Sequence, residues 1–144
     1  MKPTTRRAAF GAIGSIAAAG LIAAHAAQAT ASPQIERLWS ATKAELLKIE
    51  ALDIDDEAAS IRHWNAVSAL EQAVADHADK SIRASEIKLW IALNHSSGWG
   101  HCQTRATEFM IAREDASVLR SILPDLDFDA KCIAYAILAL RGEG

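Results

Sequence analysis

The sequence predicts an all-α protein: a helical hairpin followed by two or three shorter helices, closing one small bundle. Three observations carry this. From residue 33 onward, apolar residues recur at steps of three and four, the period of one helix face. No strict apolar–polar alternation is sustained, and no Asn-Gly type turn joins two extended runs. Of 144 residues, 51% are hydrophobic and only 7 are Gly and 3 Pro, which excludes collagen-like, low-complexity and wholly disordered chains.

Each element follows from local chemistry. Pro33 suits a first helical position and Ser32 can cap it. Ile35, Leu38, Trp39, Thr42, Leu46 and Ile49 then form a stripe, so a first helix is expected over 33–51. The acidic run 53–57 makes a short turn whose carboxylates favour the positive end of a second helix, over 56–79. Its expected inward stripe is Ile61, Trp64, Val67, Leu70, Val74 and Ala78. The short turn between two amphipathic helices predicts an antiparallel hairpin. Ser81 caps a third helix over 82–94, where Ile82, Ile87, Leu89, Trp90, Ile91 and Leu93 wrap most of the way round and predict burial.

The run 96–100, Ser-Ser-Gly-Trp-Gly, is a break. A fourth helix over 104–123 follows the rhythm of Phe109, Ala112, Ala116, Leu119 and Leu123, and Pro124 ends it. A last helix over 129–141 contains nine consecutive apolar residues, Cys132 to Leu140. Nine are too few to span a bilayer, so this helix is expected to dock into the core. Of the tryptophans, Trp39, Trp64 and Trp90 fall on helical stripes and are expected inside. Trp99, flanked by two glycines, is either exposed for a partner or folded back as a lid.

The first 29 residues read as an address rather than as fold. Lys2, Arg6 and Arg7 precede 17 residues of Ala, Gly, Ile, Leu, Phe and one Ser, and Ala27-Gln28-Ala29 follows as a small-x-small cleavage site. Thr5-Arg6-Arg7-Ala8-Ala9-Phe10 resembles the twin-arginine export signal, with Ala9 where Phe is commonest and Phe10 one place later. The resemblance implies passage through the twin-arginine machinery to the periplasm. Cleavage is expected after Ala29, or else after Ala31, leaving 30–144 as a single helical domain. The alternative is an uncleaved leader anchoring the chain in the inner membrane; a cleaved one leaves no stable membrane span. With this leader, the chain loosely resembles small exported bacterial helical proteins of unknown function, a likeness that brings no catalytic residue with it.

Removing residues 1–29 takes away three basic and no acidic residues, leaving 12 basic against 18 acidic and a net charge of −6. Such a surface repels phosphate backbones, so no nucleic-acid partner is expected.

The candidate chemistry is sparse. Cys102 and Cys132 are the only cysteines. In an oxidising compartment they either pair, closing a loop worth about 3.7 kcal/mol by chain entropy, or stay separate as buried thiols. His95 and His101, beside Cys102, offer soft donors for a transition metal or small ligand, but their spacing matches no defined ligand set. His63 and His77 stand about 21 Å apart on one helix and cannot share a metal. His63 with Asp55, Asp56 and Glu57 lacks a nucleophile. Asp125, Asp127 and Asp129 open like a calcium loop, but Ala130 and Ala136 stand where that loop requires Gly and Glu. No phosphate loop, dinucleotide fingerprint, nucleophile elbow or zinc-protease motif occurs. The expectation is therefore a non-enzymatic protein without a cofactor, binding an unknown protein through the hairpin surface and the Trp99 loop. The alternative is a small-ligand or transition-metal binder using the His95–Cys102 loop.

Overall fold

The computed structural model describes residues 30–53, 55–96 and 109–142. Among these every regular element is helical. Helix α1 spans Pro33–Ala51, as expected. Ser32 Oγ accepts the Ile35 amide, and Pro33 sits in the first turn, where its missing N–H costs no hydrogen bond. Ile35, Trp39, Thr42, Leu46 and Ile49 are buried, stepping 4-3-4-3 along one face. Buried Thr42 satisfies its hydroxyl by donating to the Leu38 carbonyl at 2.9 Å.

Helix α2 spans Glu57–Asp76 and begins at Asp56, whose carboxylate accepts the Ala59 amide at 3.0 Å. It packs along α1 as the second arm of the hairpin. The contacts Ser32–Asp79 and Glu45–His63 run in opposite directions along the two segments, as antiparallel arms require. The expected inward stripe is partly corrected. Val67 and Val74 are buried, but Ile61 is 52% exposed and Ala78 lies past the helix end. The reason is geometric. Successive steps of three lag the helical period by about 60° each, so 61–64–67–70 winds round the helix. The true face runs through Ala59, Val67, Glu71 and Val74.

Helix α3, Ile82–His95, starts at Ser81, whose hydroxyl accepts the Ala84 amide at 3.1 Å. Ala84, Glu86, Ile87, Trp90, Ile91 and Leu93 are buried, which makes α3 the central helix, in contact with α2 and with both later layers. The single helix expected over 104–123 is instead two pieces within the described residues: α4, Met110–Arg113, and α5, Ala116–Ile122. Between them Glu114 takes a left-handed backbone, φ 50°, and Asp115 caps α5 by accepting the Ser117 and Val118 amides. Phe109 to Ala112 are four consecutive buried residues, which one face of a continuous amphipathic helix cannot supply. A short 3-10 turn, Leu123–Asp125, carries Pro124, and α6 spans Phe128–Leu140 against α3.

Asp79 ties the hairpin to this inner layer. Its carboxylate accepts the Ser32 amide at 2.5 Å and the Ser81 amide at 2.8 Å, joining the starts of α1 and α3. Those amide hydrogen bonds, Ser32's foremost, bring its pKa down to about 2. Replacing Ser81 with Ala removes the α3 cap and is expected to cost about 1 kcal/mol in urea unfolding, whereas Ser81→Gly costs only a few tenths.

Candidate functional site

The inner ends of α1, α3, α4 and α6 meet in a network of opposite charges. Glu114 Oε1 accepts from the Trp39 indole and from Arg83 Nη2, each at 2.7 Å, and Lys43 reaches Oε2 at 3.3 Å. Glu86 accepts from Arg83 Nη1 at 2.9 Å, Arg141 Nε at 2.6 Å and the Trp90 indole at 3.3 Å. Arg83 also reaches Glu36 at 3.0 Å, and Arg141 Nη1 donates to the Glu114 carbonyl at 3.0 Å. Lys43 lies 5.7 Å from the Trp39 ring centre and Arg141 5.5 Å from that of Trp90. No buried side-chain nitrogen or oxygen among the described residues lacks a partner.

This arrangement holds the two carboxylates charged. Burial pushes Glu114 up, but the Trp39 and Arg83 hydrogen bonds and the Arg83 and Lys43 charges outweigh it, and the net shift is downward. Burial likewise opposes ionisation of Glu86, and Arg141 with Arg83 reverses it. Burial disfavours the Arg83 cation, but Glu86 and Glu114 more than compensate, so its pKa is raised. Neither sequence period nor motif nominates this cluster, because Glu36, Glu114 and Arg141 are far in the chain from one another and from the Arg83–Glu86 pair. The available cue was two stripe tryptophans, each needing a partner for its indole N–H once inside.

The network fastens the C-terminal end of α6. The same helix buries Ala130, Ala134, Ile137 and Leu138. Its opposite face is apolar as well. Phe128 is 85% and Tyr135 56% exposed, with Cys132 and Ala139 also outside. The expectation that this apolar helix docks into the core is met on one side only. Cys132 is exposed, which corrects the expectation of a buried thiol; the alternative, a bridge to Cys102, falls on a residue outside the described ones. Nine apolar residues cover both faces of a helix that has only one face to bury.

A second feature lies at the end of α3. His95 Nε2 stands 2.7 Å from Glu71 Oε2, and Asn94 donates to Glu71 Oε1 at 3.3 Å. Ser68, Glu71, Gln72, Ala75, Ile91 and His95 line a cleft of about 300 Å³ there. Among the described residues no three His, Cys, Asp or Glu side chains gather as a metal site would require. His63, considered with the acidic turn, is instead engaged by Glu45, its Nδ1 2.6 Å from Glu45 Oε2. His77 Nδ1 accepts the Asp79 amide. Trp39 and Trp90 are fully buried as expected, and Trp64 packs at the core edge.

Trp99, His101 and Cys102 lie outside the described residues, as do Arg6, Arg7, Phe10, Ala27 and Ala29. No helix among the described residues is long and apolar enough to cross a membrane. No family model matches the chain, and no curated protein or solved structure is similar to it.

The network sets a pH dependence with a definite sign. Glu86 and Glu114 ionise more easily folded than at their ordinary 4.5, so their contribution is complete above that pH and is lost as pH falls through the lower folded values. Glu114→Gln is expected to cost about 3 kcal/mol at neutral pH, the low end for a broken buried pair because Arg83 and Arg141 keep some solvent access. Urea unfolding from pH 7 to 3 should also show a shallower acid decline in this variant than in the parent.

Proposed function

We propose that the chain is an exported helical protein that acts by binding protein rather than by catalysis, with the outer face of α6 as its docking surface. The observation that carries the reading is an uncharged strip, Phe128, Cys132, Tyr135 and Ala139, left outside on a helix whose end is held by Arg141. Exposed aromatics on a rigid element are the usual energetic centres of protein contacts. The export half of the reading rests on the leader pattern, with Arg6 and Arg7 before the apolar run and Ala27 and Ala29 at the cleavage site. The docking face replaces the hairpin surface as the favoured contact, because the large apolar residues most exposed on the hairpin, Leu47 on α1 and Ile61 on α2, are aliphatic, whereas α6 exposes two aromatic rings, Phe128 and Tyr135.

A photo-activated crosslinker placed at position 128 or 135 in the native host should give a covalent protein adduct, and one placed at position 47 should not. Absence of any adduct at 128 and 135 would overturn the reading. Mass spectrometry of the same protein should find Thr30 or Ser32 as its first residue.

A small-ligand or transition-metal site remains the second reading, because His95 and Glu71 share a cleft. Zinc or copper titration under reducing conditions discriminates. Stoichiometric binding lost in His95→Ala would favour it over the docking surface.

A further inference from the structure

Glu71 and Glu86 are both almost completely buried, at 5% and 7% exposure, yet they are matched differently. Glu86 has the guanidinium groups of Arg83 and Arg141 against it. Glu71 has the Asn94 amide 3.3 Å from Oε1 and His95 Nε2 2.7 Å from Oε2, and among the described residues no lysine or arginine pairs with it. The His95 side chain is 64% exposed, so this donor is held from one side only. Withdrawing a carboxylate from water is costly unless a full opposite charge meets it.

Glu71 also borders open space. Ser68, Glu71, Gln72 and Ala75 share one face of α2, and Ile91 and His95 stand one turn apart on α3. Between them runs the cleft of about 300 Å³, the small end of the range for ligand pockets. Its α2 wall is about 10 Å long, from the helical rise. An ionised carboxylate offers about four acceptor positions, of which Asn94 and His95 take two. We propose that this cleft binds a small organic cation, a primary amine in its ammonium form carrying a short apolar chain. The proposal rests on the small-ligand reading above and names its ligand class; the outer face of α6 plays no part in it.

Each wall has a use in that assignment. The ammonium group brings the full charge that Glu71 lacks, as Arg141 does for Glu86. Its three N–H donors find Glu71, the Ser68 hydroxyl and the side-chain carbonyl of Gln72, whose amide nitrogen is already engaged by Asp76. Ala75 and Ile91 supply an apolar wall for the chain. An anion would be repelled by Glu71, and a neutral alcohol would leave its charge unmatched. A metal ion fits less well, because no third His, Cys, Asp or Glu joins Glu71 and His95 among the described residues. The net charge of −3 draws cations toward the whole chain.

The test is amide NMR on isotope-labelled protein isolated from the host, titrated with n-butylamine hydrochloride at pH 7 and constant ionic strength. Saturable shifts should appear at residues 68–75 and 91–95, with a Kd of roughly 0.1–10 mM, as expected for so few ligand atoms. The uncharged n-butanol should bind at least about tenfold more weakly, and so should the amine to Glu71→Gln, which keeps the side chain's shape and removes its charge. Ala75→Phe fills the cleft from an exposed position, so it should abolish binding with thermal melting nearly unchanged, and it serves even if Glu71→Gln fails to fold. His95→Ala frees an acceptor position on Glu71 and should leave amine binding equal or up to about threefold tighter. A metal held by His95 would be lost in the same variant.

No saturable shift up to about 50 mM amine overturns the proposal. So do equal binding of n-butanol, shifts scattered over the acidic surface, undiminished binding by Ala75→Phe, or loss of the amine in His95→Ala. If the amine fails but zinc binds stoichiometrically and is lost in His95→Ala, this inference falls and the small-ligand or metal reading stands. If neither binds, both fall.

Discussion

The described structure depends on neutralising two carboxylates that the fold places inside. Glu86 sits on the central helix α3 and is nearly fully buried, while Glu114 sits at the left-handed break between α4 and α5. An unpaired charge in either place costs several kcal/mol. Arg83, Arg141 and Lys43 remove that cost only when α1, α3 and α6 occupy their present positions. The network is therefore a condition on the packing rather than an addition to it. It also explains a backbone conformation that residues other than Gly rarely adopt. Glu114 is held at φ 50° by its side chain, through Trp39 and Arg83, and by its carbonyl, through Arg141.

That condition has a directional consequence for α6. A helix with apolar residues on all sides has little reason of its own to choose which side to bury. Arg141 resolves the ambiguity. Its guanidinium bonds Glu86 and the Glu114 carbonyl, which fixes the rotation of the helix about its axis. Ala130, Ala134, Ile137 and Leu138 then face α3, and the aromatic pair is turned outward. The outer strip follows from where the charges inside had to be matched.

The elements were legible where local chemistry was decisive. Ser32-Pro33, Asp56 and Ser81 announced three helix starts within a residue, because each supplies a side chain or ring suited to the first turn. The break at Glu114 was not legible. Asp115 is an ordinary capping residue, but the apolar rhythm from Phe109 to Leu123 runs straight across it, and the force that bends the chain comes from Arg83 and Trp39, distant in sequence. Glu71 was missed on the inward face of α2 for a related reason: a hydrophobic period cannot nominate a carboxylate. The strip on α6 was half visible. Its apolar length was plain, but which residues face out depends on Arg141, and Cys132, expected in the interior if not bridged, belongs to the outer face.

The two inner tryptophans have a use beyond filling volume. The indole N–H of Trp39 ends on Glu114 and that of Trp90 on Glu86, with a cation stacked near each ring. An indole's excited state is polarised along its ring, so its emission colour responds to charges placed at either end. Fluorescence from these residues thus reads out whether the carboxylates beside them are ionised, and the chain carries an intrinsic optical gauge of its own electrostatic centre.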